Sequence, residues 1–217
     1  MISNSRVITV RGSGNVLIPP DWIIIDLDLV AAEYKYDDTL NAASKQLSQL
    51  RESLYFVDFE KEDIKTKRFN VNTVYSSYKD KNDNYRRVFE GYKASHDLFI
   101  AFDLDTARLG EILNAITESE ANPEFSIDYT IKDKAAVKNQ LLKNAVEDAR
   151  IKAEILVEAA GVQLGKVLRV DYDWSEVRFR HDYNVSYEDS MMLSESLDFT
   201  PDEVKAYDNV TVVWSLE

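Results

Sequence analysis

The chain has 217 residues, of which 45% are hydrophobic and 30% charged, a composition typical of a soluble globular protein. Its 26 lysines and arginines against 39 aspartates and glutamates give a net charge of −13, which repels nucleic-acid phosphates, so no nucleic-acid partner is expected. The absence of cysteine excludes disulfides, thiolate nucleophiles and cysteine metal sites. No apolar run approaches the roughly 18 residues of a transmembrane helix.

The first part of the chain reads as two strands. Val7 to Val10 forms a short strand, Gly12-Ser13-Gly14 breaks it, and a second strand runs from about Trp22 to Tyr34. A Gly-x-Gly after a strand raises the alternative of a dinucleotide-binding loop, but no third glycine follows and the next element is a strand instead of a helix. The second strand has the period of two that marks one buried face, carried by Ile23, Ile25, Leu27 and Leu29.

A helix and a long hairpin follow. Asp37 or Asp38 is expected to cap the helix. Its apolar residues recur at spacings of three and four and comprise Leu40, Ala43, Leu47, Leu50, Leu54 and Val57. Two β-prone runs, Ile64 to Tyr78 and Tyr85 to Asp103, are separated by a turn rich in asparagine and aspartate. The sequence therefore predicts a β-hairpin with long arms.

The second half of the chain is organised around a long alanine-rich helix. A short helix capped by Thr106 and a strand from Phe125 to Ile131 lead into it. The long helix begins at Asp133 and stops at Gly161. Its apolar stripe is expected to pack on a sheet and comprises Val137, Leu141, Ala145, Ala149, Ala153, Leu156 and Ala160.

Two strands are expected after this helix, with an irregular stretch between them. Val167 to Trp174 alternates like a strand, and Val210 to Leu216 is β-prone on both faces, which favours a central position in a sheet. Ser175 to Tyr207 has no clean period and is interpreted as a short strand continuation followed by a long excursion.

The predicted order is thus β-β-α-β-β-α-β-α-β-β. It indicates a two-layer α+β fold of mostly antiparallel sheets packed by helices, with two interleaved plait-like halves as one arrangement. We expect one domain over 1–217, with sub-halves at 1–84 plus 175–217 and 85–174.

Several motifs in order along the chain resemble the SIMPL-domain family. They include Ile8-x-Val10-x-Gly12-x-Gly14, Gly91-Tyr92-x-Ala94, Ala145-x-x-x-Ala149-Arg150-x-Lys152-Ala153, Gly161-x-x-Leu164-Gly165 and Val210-x-Val212-x-Trp214. The resemblance implies an α+β fold, an unsettled biochemical role and, in some members, large homo-oligomeric rings or cages. It also implies exported or envelope-associated proteins in bacteria and, in animals, a partner of an inflammatory-signalling kinase. It implies no catalytic residue.

The residues themselves give little support to an enzyme. His96 lies on an apolar strand face, which favours a core or interface histidine over a catalytic base, and His181 lies in the irregular stretch. No Gly-x-Ser-x-Gly elbow accompanies them, and two distant histidines without cysteine cannot form the usual zinc site. Oxygen ligands for calcium or magnesium stay open at Asp80, Asp83 and Asn84, or at Asp26 with Asp28, but a solvated acidic surface explains these residues better. Asp171 and Asp173 form a carboxylate pair on one strand face, more typical of an edge strand than of acid–base catalysis. No catalytic, metal or cofactor site is predicted.

The tyrosines are more informative. Tyrosine is enriched where proteins meet, so the hairpin residues Tyr75, Tyr78, Tyr85 and Tyr92 are predicted as an interface, with cross-strand packing as the alternative. We expect a non-enzymatic interaction or scaffold protein that forms a homo-oligomer through strand edges and the hairpin. The alternative is a small-molecule-binding protein or an enzyme with a pocket between the long helix, the sheet and residues 175–207. As written, the sequence predicts a cytoplasmic protein, or an exported one if a signal peptide has been removed.

Overall fold

The structure, a computed structural model, describes residues 6–172 and 201–217. The order of strands and helices follows the predicted order throughout these residues, and the α+β class is confirmed. The elements are β1 (Val7–Ile18), β2 (Trp22–Glu33), α1 (Tyr36–Tyr55), β3 (Lys65–Lys79), β4 (Tyr85–Asp103), α2 (Thr106–Glu118), β5 (Glu124–Thr130), α3 (Lys134–Ala160), β6 (Leu164–Tyr172) and β7 (Val204–Leu216).

The described chain forms two compact units. Residues 6–21, 130–172 and 201–217 form the three-stranded unit, and residues 22–129 form the four-stranded unit. The expected sub-halves have other boundaries, and the single domain over 1–217 remains our expectation. Of the irregular stretch Ser175 to Tyr207, residues 201–203 precede β7 and residues 204–207 form its first part, so the last strand begins earlier than the predicted Val210. Residues 173–200 lie outside the described part, together with the strand continuation predicted there and His181.

In the three-stranded unit the sheet order is β1-β7-β6, with antiparallel pairing on both sides of β7. The expected central position of the last strand is confirmed. Helix α3 packs on one face of this sheet through a core of alanines and valines, among them Val10, Ala149 and Val212, together with Trp214. The glycines do not break β1, which runs through Gly12 and Gly14 without interruption.

Those two glycines let the helix approach the strand closely. A Cβ atom added to Gly12 would lie 1.9 Å from the carbonyl oxygen of Ala145 and 2.5 Å from the backbone nitrogen of Ala149. A Cβ atom on Gly14 would lie 2.0 Å from the carbonyl oxygen of Leu141. The sequence Gly-x-Gly is therefore a packing feature, because only residues without side chains fit beneath α3.

The buried stripe of α3 differs from the predicted one at its end. Val157 is buried in place of Leu156 and Ala160, and Leu156 is 51% exposed. The buried positions keep a spacing of four residues, which turns the contact face by about 40° at each step of a helix with 3.6 residues per turn. The predicted stripe did not include this rotation.

The four-stranded unit has the strand order β3-β4-β2-β5. Together with the chain order β-α-β-β-α-β this is a plait, and α1 and α2 pack on its sheet. The core is mainly aliphatic, with Phe59 and Phe102 among its members. Side chains such as Ile25, Leu50 and Ile112 are fully buried. Two caps differ from the expected ones, which were Asp37 or Asp38 for α1 and Thr106 for α2. Lys35 precedes α1 without a side-chain cap, and Asp105, which accepts hydrogen bonds from the amides of Ala107 and Arg108, caps α2.

Candidate interaction surface

The β3–β4 hairpin is longer than the sheet that supports it. Strand β2 pairs with β4 only from Tyr92 to Asp103, whereas β3 continues to pair with β4 as far as Lys79 and Tyr85. Residues 74–91 therefore form a two-stranded extension, which we call the distal arm. A bulge lies at its base, because the register shifts between Val74, which pairs with Gly91, and Tyr75, which pairs with Phe89.

A network of aromatic rings covers the base of the distal arm. Phe89 is at its centre and makes edge-to-face contacts with Tyr34, Tyr75 and Tyr92 at centroid distances of 5.5, 5.7 and 5.3 Å. Tyr36 adds a contact of 5.4 Å to Tyr92. These five residues form what we call the aromatic patch, and several of its rings remain exposed, Tyr34 most of all at 68%.

The structure brings two of the four predicted interface tyrosines together and separates the other two. Tyr75 and Tyr92 both contact Phe89. Tyr85 lies at the far end of the hairpin, 75% exposed, with the ammonium of Lys79 at 5.5 Å from its ring centroid. Tyr78 faces Arg86 across the hairpin and is 53% exposed.

Sequence analysis missed Tyr34, Tyr36 and Phe89 as members of this surface. Tyr34 and Tyr36 flank the junction between β2 and α1, so they are near the hairpin only in the folded chain. The sequence does contain a signal for Phe89, because it is a large aromatic residue in a strand whose later apolar residues alternate. The bulge shifts that alternation by one residue, and a strict period of two therefore fails there.

The turn at the end of the hairpin is built around Asp80. Its Oδ1 accepts hydrogen bonds from the amides of Asn82 and Asn84, and its Oδ2 lies 3.0 Å from Nε of Arg86. These hydrogen bonds to the ionised form hold the pKa of Asp80 below its usual value, with the two backbone amides as the larger cause. Asp80 thus stabilises the turn. Among residues 6–172 and 201–217, no group of three or more His, Cys, Asp or Glu side chains is arranged to hold a metal ion.

A small open pocket of about 230 Å³ lies at the base of the distal arm. It is lined by Ala32, Glu33, Tyr34, Val74, Glu90 and Tyr92. Gly91 beside it adopts φ +133°, and a Cβ atom there would lie 2.3 Å from the carbonyl oxygen of Glu33. Glycine at this position therefore lets the end of β2 approach β4 closely.

His96 lies in the interior of the four-stranded unit, as expected for a core histidine. Its Nε2 is 3.0 Å from Oγ1 of Thr66, and its ring meets the ring of Phe69 edge to face at 5.1 Å. Burial lowers the pKa of His96, and the positive charge of Arg51 lowers it further, while Asp97 acts in the opposite direction. The described contacts give His96 a packing role.

Carboxylates line up on neighbouring strands of the same unit. Asp28 faces Asp97 across β2 and β4, Asp97 is bound by Arg68, and Asp26 is bound by Lys67. Burial and the neighbouring charges of Asp97 and Asp26 raise the pKa of Asp28. These ion pairs explain Asp26 and Asp97 as parts of a solvated, charge-balanced sheet face.

The three-stranded unit contains a larger open cleft, of about 720 Å³, at the end of β6. Beside it the buried Asp208 accepts a hydrogen bond of 3.0 Å from the hydroxyl of Tyr172, and its Oδ1 accepts one from the amide of Asn209. Asn209 in turn accepts a bond from the hydroxyl of Ser13. Asp171, one member of the predicted carboxylate pair, lines this cleft and is bound by Arg169, and Asp173 lies outside the described residues.

The fold and this surface define a class of protein: an α+β chain with two sheet units and an exposed aromatic hairpin. A family model described as "SIMPL: Protein of unknown function (DUF541)" matches residues 8–214. The chain belongs to the SIMPL family, as its motifs predicted.

Two relatives carry the name "26 kDa periplasmic immunogenic protein". One is from Brucella melitensis biotype 1 and the other from Brucella abortus strain S19. Each is 26% identical to this chain over 170 residues, which is 78% of this chain and 68% of the relative. Among the described residues, no helix is both long enough and apolar enough to cross a membrane.

Proposed function

We propose that the chain is a non-enzymatic scaffold or interaction protein that forms a homo-oligomer through its β3–β4 hairpin. The observation that carries this proposal is the distal arm, which extends beyond the support of β2. A two-stranded ribbon alone is marginally stable in water. Contact with another molecule would bury its exposed side chains and stabilise it.

The outer edge of β3 favours pairing with another chain. Within the described residues β3 is an edge strand, with β4 as its neighbour on one side only. From Phe69 to Tyr78 it has no charged residue, proline or glycine. Charged residues and prolines are among the features that protect natural edge strands, so their absence from Phe69 to Tyr78 makes this edge suited to forming an intermolecular sheet.

The side chains of the hairpin have the composition of an interface. Tyr75, Tyr78 and Tyr85 are 46%, 53% and 75% exposed, and the guanidinium of Arg87 lies 4.5 Å from the ring centroid of Tyr75. Tyrosine and arginine are the side chains that most often dominate binding energy at interfaces. The predicted tyrosine interface is therefore retained in this proposal and extended to the aromatic patch.

Size-exclusion chromatography with light scattering tests the proposal. We expect the wild-type chain to form a species of several subunits whose mass depends on concentration. The double variant Asn72→Lys/Ser76→Lys places two charges on the β3 edge and should shift the protein to monomer. The matched control Thr9→Lys/Asn15→Lys adds the same charge to exposed positions of β1 and should leave the mass unchanged. A wild-type protein that stays monomeric over a wide concentration range would overturn the proposal.

We also infer that the protein is exported. The support is the name of the Brucella relatives, which calls those proteins periplasmic and favours export over the cytoplasmic expectation. Fractionation of the native cells followed by immunoblotting tests this inference. Recovery of the protein with the periplasmic fraction is expected, and recovery with the cytoplasm would contradict it.

The cleft at the end of β6 supports a second candidate function, the binding of a small polar molecule. Its lining includes Arg11, Asp171, Asn209 and Thr211, which offer both charge signs and hydrogen-bonding groups. A thermal-shift screen against metabolites and metal ions is the test, since a ligand at 100 times its Kd stabilises by about 2.7 kcal/mol. Ligands that act on the wild type but not on Arg11→Gln are expected, and a broad screen without any would count against this function.

A further inference from the structure

The pocket at the base of the distal arm has the chemistry of a site for a positive charge. Two glutamates, Glu33 and Glu90, and two tyrosines, Tyr34 and Tyr92, belong to its lining. Both glutamates are exposed, and neither forms an ion pair with any residue that the structure describes. Ser76 donates a hydrogen bond to Oε1 of Glu90, which holds that side chain in place.

Tyrosine rings on the same hairpin already bind cations within the molecule. The guanidinium of Arg87 lies over Tyr75, and the ammonium of Lys79 lies over Tyr85. Aromatic faces attract such cations, and the attraction is larger where carboxylates add their charge. A volume of about 230 Å³ is below the usual range for drug-sized ligands, so the pocket suits a single side chain.

The hairpin also supplies suitable cations. Residues 65–93 contain eight lysines and arginines but three acidic residues, in a chain with an acidic total. Four of these cations are paired, in Lys67–Asp26, Arg68–Asp97, Lys79–Asp83 and Arg86–Asp80. Lys81, at the turn, forms no ion pair within the described residues and is exposed. Residues 65–93 of the hairpin thus carry five more positive than negative charges, whereas the pocket at the base of the distal arm contains two glutamates and two tyrosines.

We propose that this pocket binds the cationic end of a lysine or arginine side chain from the hairpin of a second copy of the chain. The identity of the partner rests on the self-assembly proposed above, whereas the preference for a cation rests on the pocket alone. The two parts are tested separately.

The first test uses small probes and the wild-type chain. Nα-acetyl-arginine amide is titrated and followed by NMR, with Nα-acetyl-citrulline amide as a neutral probe of nearly the same shape. We expect the arginine probe to shift the signals of Tyr34 and Tyr92 and the citrulline probe to have no such effect. Equal binding of both probes, or no binding of either, would overturn the cation site and leave the self-assembly proposal intact.

Matched variants locate the charge requirement. Glu33→Gln/Glu90→Gln keeps a side-chain oxygen for the hydrogen bond from Ser76 and should weaken binding of the arginine probe about tenfold, through loss of two partly solvated charge contacts. Glu52→Gln/Glu62→Gln removes the same charge from exposed positions of the same unit and should leave binding unchanged. Equal affinities of the two double variants would contradict the assignment.

The second test asks whether the cation comes from another copy. Light scattering is repeated with each probe in excess and with Lys81→Gln. We expect the arginine probe, but not the citrulline probe, to dissociate the oligomer. Lys81→Gln should lower the mean mass. Binding of the arginine probe to a chain that is monomeric throughout would exclude a second copy as the source, and the self-assembly proposal would fail while the cation site stands.

Discussion

The two units of this chain stabilise a helix–sheet contact in opposite ways. In the three-stranded unit, α3 meets β1 through Gly12, Gly14 and the fully buried alanines Ala145, Ala149 and Ala153, so the two backbones nearly touch. In the four-stranded unit, α1 and α2 meet the sheet through leucine and isoleucine side chains. The first contact depends on the absence of side-chain volume and the second on its presence. Enlarging a residue should therefore damage one unit, and truncating a residue should damage the other.

The largest effect is expected from truncation in the aliphatic core. Leu98→Ala removes a side chain that is 1% exposed and leaves a cavity, which should lower the free energy of unfolding by about 2–5 kcal/mol. Leu168→Ala, on a position that is 56% exposed in β6, is the control and should change stability by less than about 0.5 kcal/mol. Urea denaturation of both variants measures the difference. Similar losses for the two would show that the core is not where the structure places it.

Enlargement of the small-residue contact should come next. Gly12→Ala adds one methyl group that meets backbone atoms, which cannot rotate away, and should destabilise the chain by about 3 kcal/mol. Gly110→Ala is the same substitution in α2, where no atom beyond the neighbouring residues and backbone of the helix itself lies within 4 Å of the new Cβ. It should stabilise by about 0.5–1 kcal/mol through helix propensity. Opposite signs in thermal or urea unfolding are the expected result. A neutral Gly12→Ala would mean that α3 lies farther from β1.

The sequence predicted the strands and helices of both units, but not the close approach of α3 to β1. Periods of two and of three to four residues, together with β-prone composition, predicted every described strand and helix in order, since most of these elements bury one face. The same patterns interpreted Gly12 and Gly14 as a break in a strand, because a glycine in a local window indicates flexibility. Only the position of α3, more than a hundred residues away, shows that these glycines provide room.

The candidate interaction surface was likewise predicted only in part from the sequence. The hairpin tyrosines were predicted from local composition, and Tyr75 and Tyr92 do lie in one network. Their partner Tyr34 follows a different strand, and Phe89 is displaced by a bulge, so the network depends on tertiary register. The pocket depends on it too, since Glu33 and Glu90 come together only when β2 ends beside Gly91.

Acidification should lower the stability of the four-stranded unit through the titration of His96. The pKa of His96 is lowered in the folded four-stranded unit, mainly by burial and then by Arg51, from an ordinary value of 6.5. The unfolded chain therefore binds more protons, so this contribution is fully present above pH 6.5 and is lost as the pH falls from there through the lower folded pKa. His96→Gln should remove that part of the pH dependence of unfolding. An unchanged slope between the two proteins below pH 6.5 would contradict the burial of a neutral histidine.

Asp28 contributes a pH dependence of stability with the opposite sign in the same unit. Its pKa is raised above 3.8 by burial and by Asp97 and Asp26, so its contribution to stability is present below pH 3.8 and is lost as the pH rises through the folded pKa. For each protein, the free energy of unfolding at neutral pH is compared with its value in acid. This change should be more favourable for Asp28→Asn than for the wild type, because asparagine carries no charge at neutral pH. The same pH series of urea titrations measures it, and a neutral-pH loss in Asp28→Asn would show that this carboxylate has a favourable partner.

The smallest expected effect concerns the edges of the two sheets, which differ as much as the cores. In the middle of β1 the edge is covered, because Oδ2 of Asp148 in α3 accepts a hydrogen bond of 2.7 Å from the amide of Ser13. The same carboxylate binds Lys152, and both interactions lower the pKa of Asp148. The β3 edge in the four-stranded unit has no such cover among the described residues, which is the basis of the proposed assembly.

A matched pair of variants tests the hydrogen bond between Asp148 and the amide of Ser13. Asp148→Ala and Glu154→Ala each break an ion pair between residues four apart on α3, with Lys152 and with Arg150, but only the first removes the bond to Ser13. Asp148→Ala should therefore be less stable than Glu154→Ala by about 0.5–1.5 kcal/mol. Hydrogen exchange of the Ser13 amide should accelerate in that variant alone. If Asp148→Ala also gains mass in light scattering while Glu154→Ala does not, an uncovered edge is sufficient for association. Equal exchange rates in the two variants would instead show that the amide of Ser13 is protected by the close approach of α3 and not by the carboxylate.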